Sequence, residues 1–288
     1  MTKCSLSLPH SFSRIILMVV YVAISSQLPL PANAQATTPA EALQGQLIDP
    51  LPIREKATMI AVGSTNILDT YLSPESYKGE EIHFISTVHK PTRWNNIWQT
   101  VVNEGSIATV NNRADNNDEI GGAYDFQYHL RHHWEHGNFN FEVGAAIGAH
   151  LGFLYNTRNS NNPAQAYAAI NLMPSAALSR SLTLFKRSSA LHYELTVPLL
   201  GLMFSPNYGQ SYYEIFSRGN YDHNIVPTTI GATPSLRHSL TLDIPLSRQK
   251  PTLLFRIGYL GDYQQAKVNN LKQHHYAHLL LIGWTKYF

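Results

Sequence analysis

Histidines are concentrated in two short stretches of the 288-residue chain. One holds His129, His132, His133 and His136, and the segment 274–278 holds three more. Imidazole binds zinc, transfers protons and changes charge near neutral pH. On an extended strand, however, His129 and His133 share a face at a separation of about 13 Å, given roughly 3.3 Å per residue. One zinc ion with bonds of about 2.0 Å cannot bridge that distance. We therefore predict no metal site and no cofactor, and assign the histidines to a polar interior or to pH-sensitive loops.

Nucleophilic catalysis would need a different arrangement of residues. A His-x-Ser pair on one strand face would let the imidazole take the hydroxyl proton. No such pair follows residue 34, and His238 and Ser239 are adjacent, so they face opposite sides of a strand. There is no Asp-x-Asp pair after residue 34, Asp222-His223 lacks the Asp-x-His spacing, and Cys4 is the single cysteine. The sequence therefore does not favour an enzyme. A membrane-embedded lipid hydrolase with a different arrangement of catalytic residues is the third functional hypothesis, after the two given at the end of this subsection.

Any chemistry must be positioned by strands, because the stretch 121–135 alternates between two kinds of side chain. One set is mainly aromatic or aliphatic and comprises Tyr124, Phe126, Tyr128, Leu130 and Trp134. The residues between them are mostly polar or charged. A period of two is typical of a β-strand, whose successive side chains point to opposite faces. The same pattern recurs at 138–155, 191–197, 236–246 and 252–263. The sequence thus predicts an all-β protein.

The length of these runs favours strands that cross a membrane. Soluble strands usually have about five or six residues, whereas a tilted membrane strand needs about 9–11. In hydrocarbon every backbone polar group must be paired within the protein, so strands span only as a closed barrel. A soluble β-sandwich is the alternative, with its apolar face turned to a dry core. The C-terminal strand, in which Ile282, Trp284 and Phe288 alternate, favours the barrel, although Lys286 departs from that pattern.

We predict a single antiparallel transmembrane β-barrel of the outer-membrane type, with ten strands. They lie near residues 58–68, 80–90, 96–110, 120–134, 138–155, 164–178, 190–203, 235–247, 251–263 and 275–288. Tight turns are expected at 91–95, 135–137 and 247–250, and longer loops at 69–79, 111–119, 156–163, 204–234 and 264–274. The link at 179–189 should be short but is long in this layout. A hairpin turning at 218–220 would raise the number of strands to twelve.

The N-terminus predicts export. Residues 15–26 are apolar, follow Lys3 and Arg14, and precede the small-residue tripeptide 32–34, as in a signal peptide cleaved near Ala34. We therefore divide the chain into a signal peptide (1–34), a periplasmic lead-in (35–56) and the barrel (57–288), in the outer membrane of a Gram-negative-type cell. The chain has 21 basic and 19 acidic residues. Removing Lys3 and Arg14 leaves nineteen of each, so no nucleic-acid partner is expected.

Two sets of residues are candidates for a functional site. Polar residues on the face opposite the apolar one are expected to line the lumen: Asp125, His129, Arg131, Glu142, Glu194, Asp243 and Arg256. The long loop 204–234 carries aromatic and charged residues that could bind a ligand: Tyr208, Tyr212, Tyr213, Glu214 and Arg218. Tyrosine rings stack on sugars or pack into partner surfaces. Packing over the barrel mouth is the structural alternative for the loop residues.

Several segments resemble a bacterial family of uncharacterised secreted proteins, a domain-of-unknown-function family. The similarity is carried by TNILDTYLSPESYKGEE (65–81), SPNYGQSYYEIFS (205–217), LTLDIPL (240–246), residues 258–278 and the closing IGWTKYF. It covers most of the mature chain and implies an outer-membrane barrel, but conveys no activity.

The sequence therefore predicts a structural, adhesive or ligand-binding role exerted through the outer loops. A narrow channel or transporter for a small solute is the alternative. The expected partners are outer-membrane lipid, the barrel-assembly machinery acting on the strand that ends in Phe288, and a glycan or protein at the outer loops.

Overall fold

The chain folds into an all-β structure, seen in a computed structural model that describes residues 54–160, 162–184, 187–246 and 252–288. The predicted signal peptide, residues 35–53 of the predicted lead-in and the predicted turn at 247–250 lie outside these ranges. Twelve strands and one short helix follow in chain order: β1 Glu55–Asp69, β2 Tyr77–Pro91, β3 Ile97–Asn111, β4 Asp118–His136, β5 Phe139–Asn156, β6 Ala164–Leu184, β7 Arg187–Thr196, β8 Leu200–Phe204, α1 Tyr212–Phe216, β9 Ile225–Thr229, β10 Leu236–Pro245, β11 Leu253–Val268 and β12 Leu271–Tyr287.

Ten of the strands close into an antiparallel barrel. Neighbours pair in the order β5, β4, β3, β2, β1, β12, β11, β10, β7 and β6, and a ladder between β5 and β6 completes the ring. The first and last strands meet along fifteen residue pairs, from Glu55 opposite Tyr287 to Asp69 opposite Gln273. This confirms the predicted ten-strand barrel. None of the helices among the described residues is long and apolar enough to cross a membrane.

Burial in this barrel is reversed relative to a soluble protein. Large apolar side chains face outward, as Ile147 shows with an exposed fraction of 58%, while Arg131 and Glu104 on the inner face are 1% exposed. Soluble proteins rarely bury charges and rarely expose wide apolar surfaces. An apolar outer surface with a polar interior is the arrangement that a lipid bilayer requires. The fold is therefore that of an outer-membrane β-barrel.

The lumen also contains an apolar region. Small and aliphatic side chains pack together inside the part of the wall formed by β12, β1, β2, β3 and β11: Ala57, Met59, Ala61, Ile85, Val102, Leu260, Ala277, Leu279 and Leu281. Such packing fills the narrow interior without leaving polar groups unpaired. The charged residues described below lie on other parts of the inner wall.

The two ends of the barrel differ in the length of their connections. At the terminal end, where Phe288 N donates to Arg54 O at 2.9 Å, the described connections include the turn 92–96 and residues 137–138. At the opposite end, which we call the loop end, the connections comprise 70–76, 112–117, 157–163, 205–224 and 269–270. Ligand-facing segments of such barrels are usually the longer ones.

Two predicted connections are wrong. The link expected at 179–189 is mostly strand, because β6 continues to Leu184 and β7 begins at Arg187. The long loop expected at 264–274 is a tight hairpin whose two central residues, Asn269 and Asn270, have φ angles of 50° and 61°. Asparagine tolerates this left-handed geometry, which a type I′ hairpin requires at both positions. Both segments consist mostly of polar residues, so the two faces of each strand cannot be told apart from hydrophobicity. This explains both errors.

The hairpin that would have given twelve membrane strands is also absent from the described residues around 218–220. Residues 212–216 form helix α1, whose cap Ser211 accepts a hydrogen bond from Glu214 N while the Glu214 carboxylate accepts from Ser211 N. This reciprocal capping box stabilises the first turn of a helix. The two additional strands, β8 and β9, instead flank the loop and stand outside the ten-strand closure.

The wall is irregular where β8 and β9 meet it. β7 ends at Thr196, and β8 pairs with the same edge of β6 from Leu200 onward. The pairing register shifts by one residue between the two strands, so the chain has one extra residue between them. Pro198 lies in this bulge, where its missing N–H is tolerated. On the neighbouring strand, the segment 230–235 is inserted between β9 and β10. This segment, which we call the wall insertion, is uncharged.

Replacing Ile147 by arginine tests the lipid-facing assignment. Ile147 lies at the middle of β5 with its side chain outward. At the bilayer midplane, arginine on the lipid face should lower the free energy of unfolding by about 2–4 kcal/mol. Reversible guanidinium unfolding in phospholipid vesicles measures this. Ser160→Arg, in an outer loop, is the control and should change it by less than about 0.5 kcal/mol. An equally small effect of Ile147→Arg would contradict a bilayer around β5.

Candidate functional site

Three of the predicted luminal residues on β4 and β5, His129, Arg131 and Glu142, belong to one polar cluster in the terminal half of the barrel. Arg131 lies 3.7 Å from Glu142 and 3.5 Å from Glu194, measured between guanidinium nitrogens and carboxylate oxygens. Its Nε donates to Ser175 Oγ at 2.9 Å and its terminal nitrogen donates to His129 Nδ1 at 3.0 Å. A buried guanidinium of this kind needs all of these acceptors to offset its lost hydration.

A second ion pair lies closer to the terminal end. Arg256 binds both carboxylate oxygens of Asp243 at 2.6 Å, and it also contacts Glu55 at 2.7 Å. Asp243 is fully buried. The planar guanidinium matches a carboxylate in this two-bond geometry. The pair therefore joins β11 to β10 with both side chains held in one orientation.

A third cluster crosses the middle of the lumen, and most of it is missing from the residues predicted from sequence. His83 contacts both Glu104 and Glu81, and Arg237 contacts Glu104 and donates to Asp262 at 2.7 Å. Glu81, His83 and Glu104 lie in segments that alternate weakly, whereas Arg237 and Asp262 lie in the clearly alternating segments 236–246 and 252–263. In each segment, the position on the inward-facing set was the available signal.

The rest of this middle cluster consists of histidine–carboxylate pairs. Predicted residue Asp125 lies 2.8 Å from His150, and His275 lies 2.7 Å from Glu81. Asp125 and His150 lie opposite each other on β4 and β5, whereas Glu81 on β2 and His275 on β12 are separated by β1. We refer to the whole set as the middle cluster: Glu81, His83, Glu104, Asp125, His150, Arg237, Asp262 and His275.

The loop end of the lumen is crossed by tyrosine and carboxylate side chains. Tyr167 donates its hydroxyl to Asp69 at 2.5 Å, and Asn156 donates to Tyr77 and to Glu119 at 3.2 and 2.9 Å. These five residues come from five different strands. They form a hydrogen-bonded layer, the upper layer, between the middle cluster and the outer loops.

A cavity of about 200 Å³ extends across the lumen between the middle cluster and the upper layer. Charged side chains of the middle cluster and Tyr167 contribute to its wall. Gly148 lines this cavity without a side chain, and a Cβ at this position would lie 2.6 Å from Met173 Cε, so Met173 would have to move to accommodate it.

The two histidine-rich stretches are divided between the faces of their strands. His129 and His275 lie in the polar clusters of the lumen, whereas His132 packs against Trp134 with ring centroids 4.3 Å apart and His274 stacks on Tyr276 at 4.5 Å. His136 is exposed at the end of β4. No group of three or more histidine, cysteine or acidic side chains among the described residues has the geometry to hold a metal ion.

Serine and histidine do meet, but across neighbouring strands. Ser179 on β6 lies opposite His192 on β7, with Oγ 2.7 Å from Nδ1, and Nε2 of His192 is 3.4 Å from Asp243. A search for His-x-Ser within one strand could not find this arrangement, because it depends on the register between strands. Asp243 already accepts hydrogen bonds from Nε and Nη2 of Arg256, so both of its carboxylate oxygens are used in the ion pair.

The candidate residues of the long loop have two different structural roles. Tyr212 is packed inward: its ring lies edge-on to Tyr71 and its hydroxyl donates to Gln165 at 2.8 Å. Burial raises the pKa of Tyr212 to about 12. Glu214 caps helix α1, and hydrogen bonds from Ser211 lower the pKa of the Glu214 carboxyl. Tyr212 and Glu214 thus hold the loop in shape.

The other candidates are available at the surface. Tyr208 is 74% exposed and Tyr213 is 62% exposed, and the Arg218 guanidinium lies 5.5 Å from the centre of the Tyr213 ring. Phe216 and Tyr221, two further aromatic residues of the same loop, are each 62% exposed. We call these five residues the aromatic surface. Large exposed aromatic residues in one loop are typical of recognition sites.

Breaking the buried pair at the terminal end tests its contribution to stability. Arg256→Met leaves the carboxylate of Asp243 buried without its partner, so we expect the free energy of unfolding to fall by about 3–5 kcal/mol. Guanidinium unfolding in vesicles measures the change. The double variant Arg256→Met with Asp243→Leu removes both charges and should recover most of the loss. If Arg256→Met alone is neutral, Asp243 is not held as an ion at this position.

Comparisons with solved structures return membrane barrels at low similarity. The translocator domain of the autotransporter NalP from Neisseria meningitidis has 10% identity and a TM-score of 0.37, covering 90% of this chain and 100% of that chain. The transport unit of the autotransporter AIDA-I from Escherichia coli has 8% identity and a TM-score of 0.45, covering 96% and 98%. Ail, the attachment invasion locus protein of Yersinia pestis, has 11% identity and a TM-score of 0.20, covering 80% and 97%. At this distance they carry no argument about the role of this chain.

No curated protein matches the sequence significantly. A family model, in contrast, matches residues 15–288, which is nearly the whole chain. Its description is "Protein of unknown function (DUF3316)". The resemblance to an uncharacterised family is thereby confirmed, and the chain belongs to the DUF3316 family.

Proposed function

We propose that this protein is an outer-membrane receptor that recognises a glycan outside the cell through its aromatic surface. The observation that supports this is the exposure of four aromatic side chains, Tyr208, Tyr213, Phe216 and Tyr221, on one loop at the loop end. In this proposal the signal peptide is removed near Ala34, the terminal end faces the periplasm, and the strand that ends in Phe288 is read by the barrel-assembly machinery.

The loop that carries the aromatic surface is fixed to the barrel by hydrogen bonds. Tyr71 donates its hydroxyl to Gln210 O at 3.1 Å, Asn224 donates to the Gln210 side chain at 2.7 Å, and Asn269 donates to Ser205 O and His223 O at 3.0 and 2.9 Å. A loop held in this way loses little conformational entropy when a ligand binds. The exposed rings are therefore presented in advance of binding.

The chemistry of the surface favours a sugar over other ligands. Tyrosine offers a flat apolar ring for the C–H face of a sugar and a hydroxyl for its polar edge. Arg218 adds five N–H donors beside the Tyr213 ring. A carbohydrate with an acidic group would use both, whereas a protein partner would need a wider buried surface than one loop provides.

The interior gives less support to a conducting channel. Charged side chains occupy the lumen at the Arg256–Asp243 pair, around Arg131 and at the middle cluster. Barrels of this size leave little aqueous space even before such pairs form. Solute passage would require these ion pairs to separate in a low dielectric, at a cost of several kcal/mol per ion. Recognition at the surface requires no such change.

Glycan binding tests the proposal. The full-length barrel in detergent micelles should bind a subset of a glycan array, and Tyr213→Ala and Tyr208→Ala should each weaken binding by about tenfold, since stacking of an aromatic ring contributes roughly 1–1.5 kcal/mol. Trp94→Ala removes an exposed aromatic ring in the turn at the terminal end and serves as the control. No glycan bound, or equal binding by all three variants, would refute the proposal; binding of a protein in place of a glycan would refute its ligand class.

A further inference from the structure

The cavity in the lumen is a second place where this barrel could hold a ligand, separate from the aromatic surface. It is bounded toward the terminal end by the middle cluster and toward the loop end by Tyr167 of the upper layer. An apolar cavity of about 150 Å³ holds one benzene molecule. A cavity of about 200 Å³ therefore has room for an aromatic ring with a short side arm.

The cavity wall is strongly biased in charge. Glu81, Asp125 and Asp262 line it, and Glu104 lies directly behind through its contact with Arg237. Within the part of the chain that the structure describes, these four carboxylates contact one guanidinium and three imidazoles. His83 contacts Glu81 and Glu104 through different ring nitrogens, and an imidazole has an N–H on both nitrogens when it is charged. With His83 charged and the other two imidazoles neutral, the cluster carries two negative charges, and a positively charged ligand would offset part of that charge.

The remainder of the wall is apolar or weakly polar. Ile67, Ala108 and Leu154 contribute hydrocarbon groups on the side toward the loop end, and Met173 and Met203 contribute thioether groups to other parts of the wall. A ligand that satisfies the whole cavity therefore needs a compact apolar body at one end and a cationic group at the other. Methionine side chains adapt to ring-shaped ligands because they are flexible and polarisable.

The cavity extends to the irregular part of the barrel wall. Pro198 of the β7–β8 bulge and Thr228 of β9 line it, together with Thr233 and Ser235 of the wall insertion. The wall insertion is joined to β11 by a bond from Lys267 N to Ala232 O at 2.9 Å and one from Gln265 N to Ser235 Oγ at 3.3 Å. A regular ladder would pair the backbone at every second residue on each strand.

Among the described residues, β9 pairs with β8 along one edge and has no ladder along the other. Ile230 N donates to Leu199 O and Ser205 N donates to Asn224 O, so every second residue of β9 points its backbone toward β8. Pro227 falls between these positions, and its nitrogen faces the other edge. Proline is tolerated where no partner needs an N–H. The surrounding outer surface is apolar, with Leu200, Leu202 and Ile225 exposed.

We propose that the cavity binds a small amphipathic amine, with an aromatic or aliphatic body, and that this ligand enters from the membrane side through the wall insertion. The body occupies the region near Ile67 and Leu154, which pack in one cluster, and the ammonium group lies against Glu81 and Asp125. The wall insertion opens by breaking its two bonds to β11 while the ten-strand closure below it stays paired.

Binding of radiolabelled benzylamine tests the site in the full chain reconstituted into nanodiscs. We expect saturable binding, and at least about tenfold weaker binding of the uncharged alcohol of the same shape, benzyl alcohol. Glu81→Gln and Asp125→Asn should each weaken amine binding by about tenfold. Glu80→Gln is the matched control, because Glu80 precedes Glu81 and points outward. Heat-modifiable migration on gels confirms that each variant is folded.

A disulfide tests the route. Cys4 is the chain's single cysteine and lies in the predicted signal peptide, so introduced cysteines have no competitor. Ala232→Cys with Lys267→Cys would staple the wall insertion to β11, since backbone-bonded neighbours lie within disulfide reach. Oxidation should slow amine association by at least about tenfold, a change of about 1.4 kcal/mol in barrier, and reduction should restore it. Val62→Cys with Leu280→Cys places the same bond across β1 and β12 and should leave the rate unchanged.

The outcomes separate the parts of the proposal. Absence of amine binding by the folded wild-type protein would overturn the site, and equal affinity for the alcohol would overturn its cationic preference. Unchanged association after oxidation of the 232–267 pair would overturn the lateral route. Glycan binding through the aromatic surface is measured separately, so its failure leaves these results interpretable.

Discussion

The need to pair every backbone N–H and C=O inside hydrocarbon governs this structure. An open sheet would leave two edges exposed to lipid, at a cost of several kcal/mol for each unpaired group. The ring formed by β1 to β7 and β10 to β12 removes both edges. The alternation of side chains then follows, because one face of every strand must be soluble in lipid while the other faces a narrow interior.

The narrow interior explains why the polar residues are so heavily interconnected. Ten strands leave little room for water, so a charge on the inner face must find a protein partner. Arg131, Arg237 and Arg256 each contact at least two carboxylates from other strands or positions. Such pairs add less stability than apolar packing of the same volume would. Their stronger effect is to fix which strand lies beside which, because a shift of register would separate them.

Sequence reasoning reached the barrel class, the number of closing strands and most strand positions, because these depend on local alternation. It missed contacts that depend on register. The pairing of Ser179 with His192 and the meeting of Glu104 with Arg237 join residues on different strands, which no spacing within one strand encodes. It also misread Asn269 and Asn270 as part of a long loop and the loop helix α1 as a possible hairpin, because short polar segments carry weak periodicity. For the long loop, composition identified the exposed tyrosines but not that Tyr212 and Glu214 support them.

The pairing of the first strand with the last has a kinetic consequence. Glu55 lies opposite Tyr287, so the ladder that seals the ring joins positions separated by almost the entire folded sequence. Contacts of such high contact order form slowly, because the entropy of closing a very long loop must be overcome before any bond between the two strands is gained. Until then β1 and β12 are unsatisfied edges capable of joining other chains. The emerging polypeptide therefore has to be kept from self-association throughout its synthesis and crossing of the periplasm, and it acquires its final topology only as one late event at the membrane.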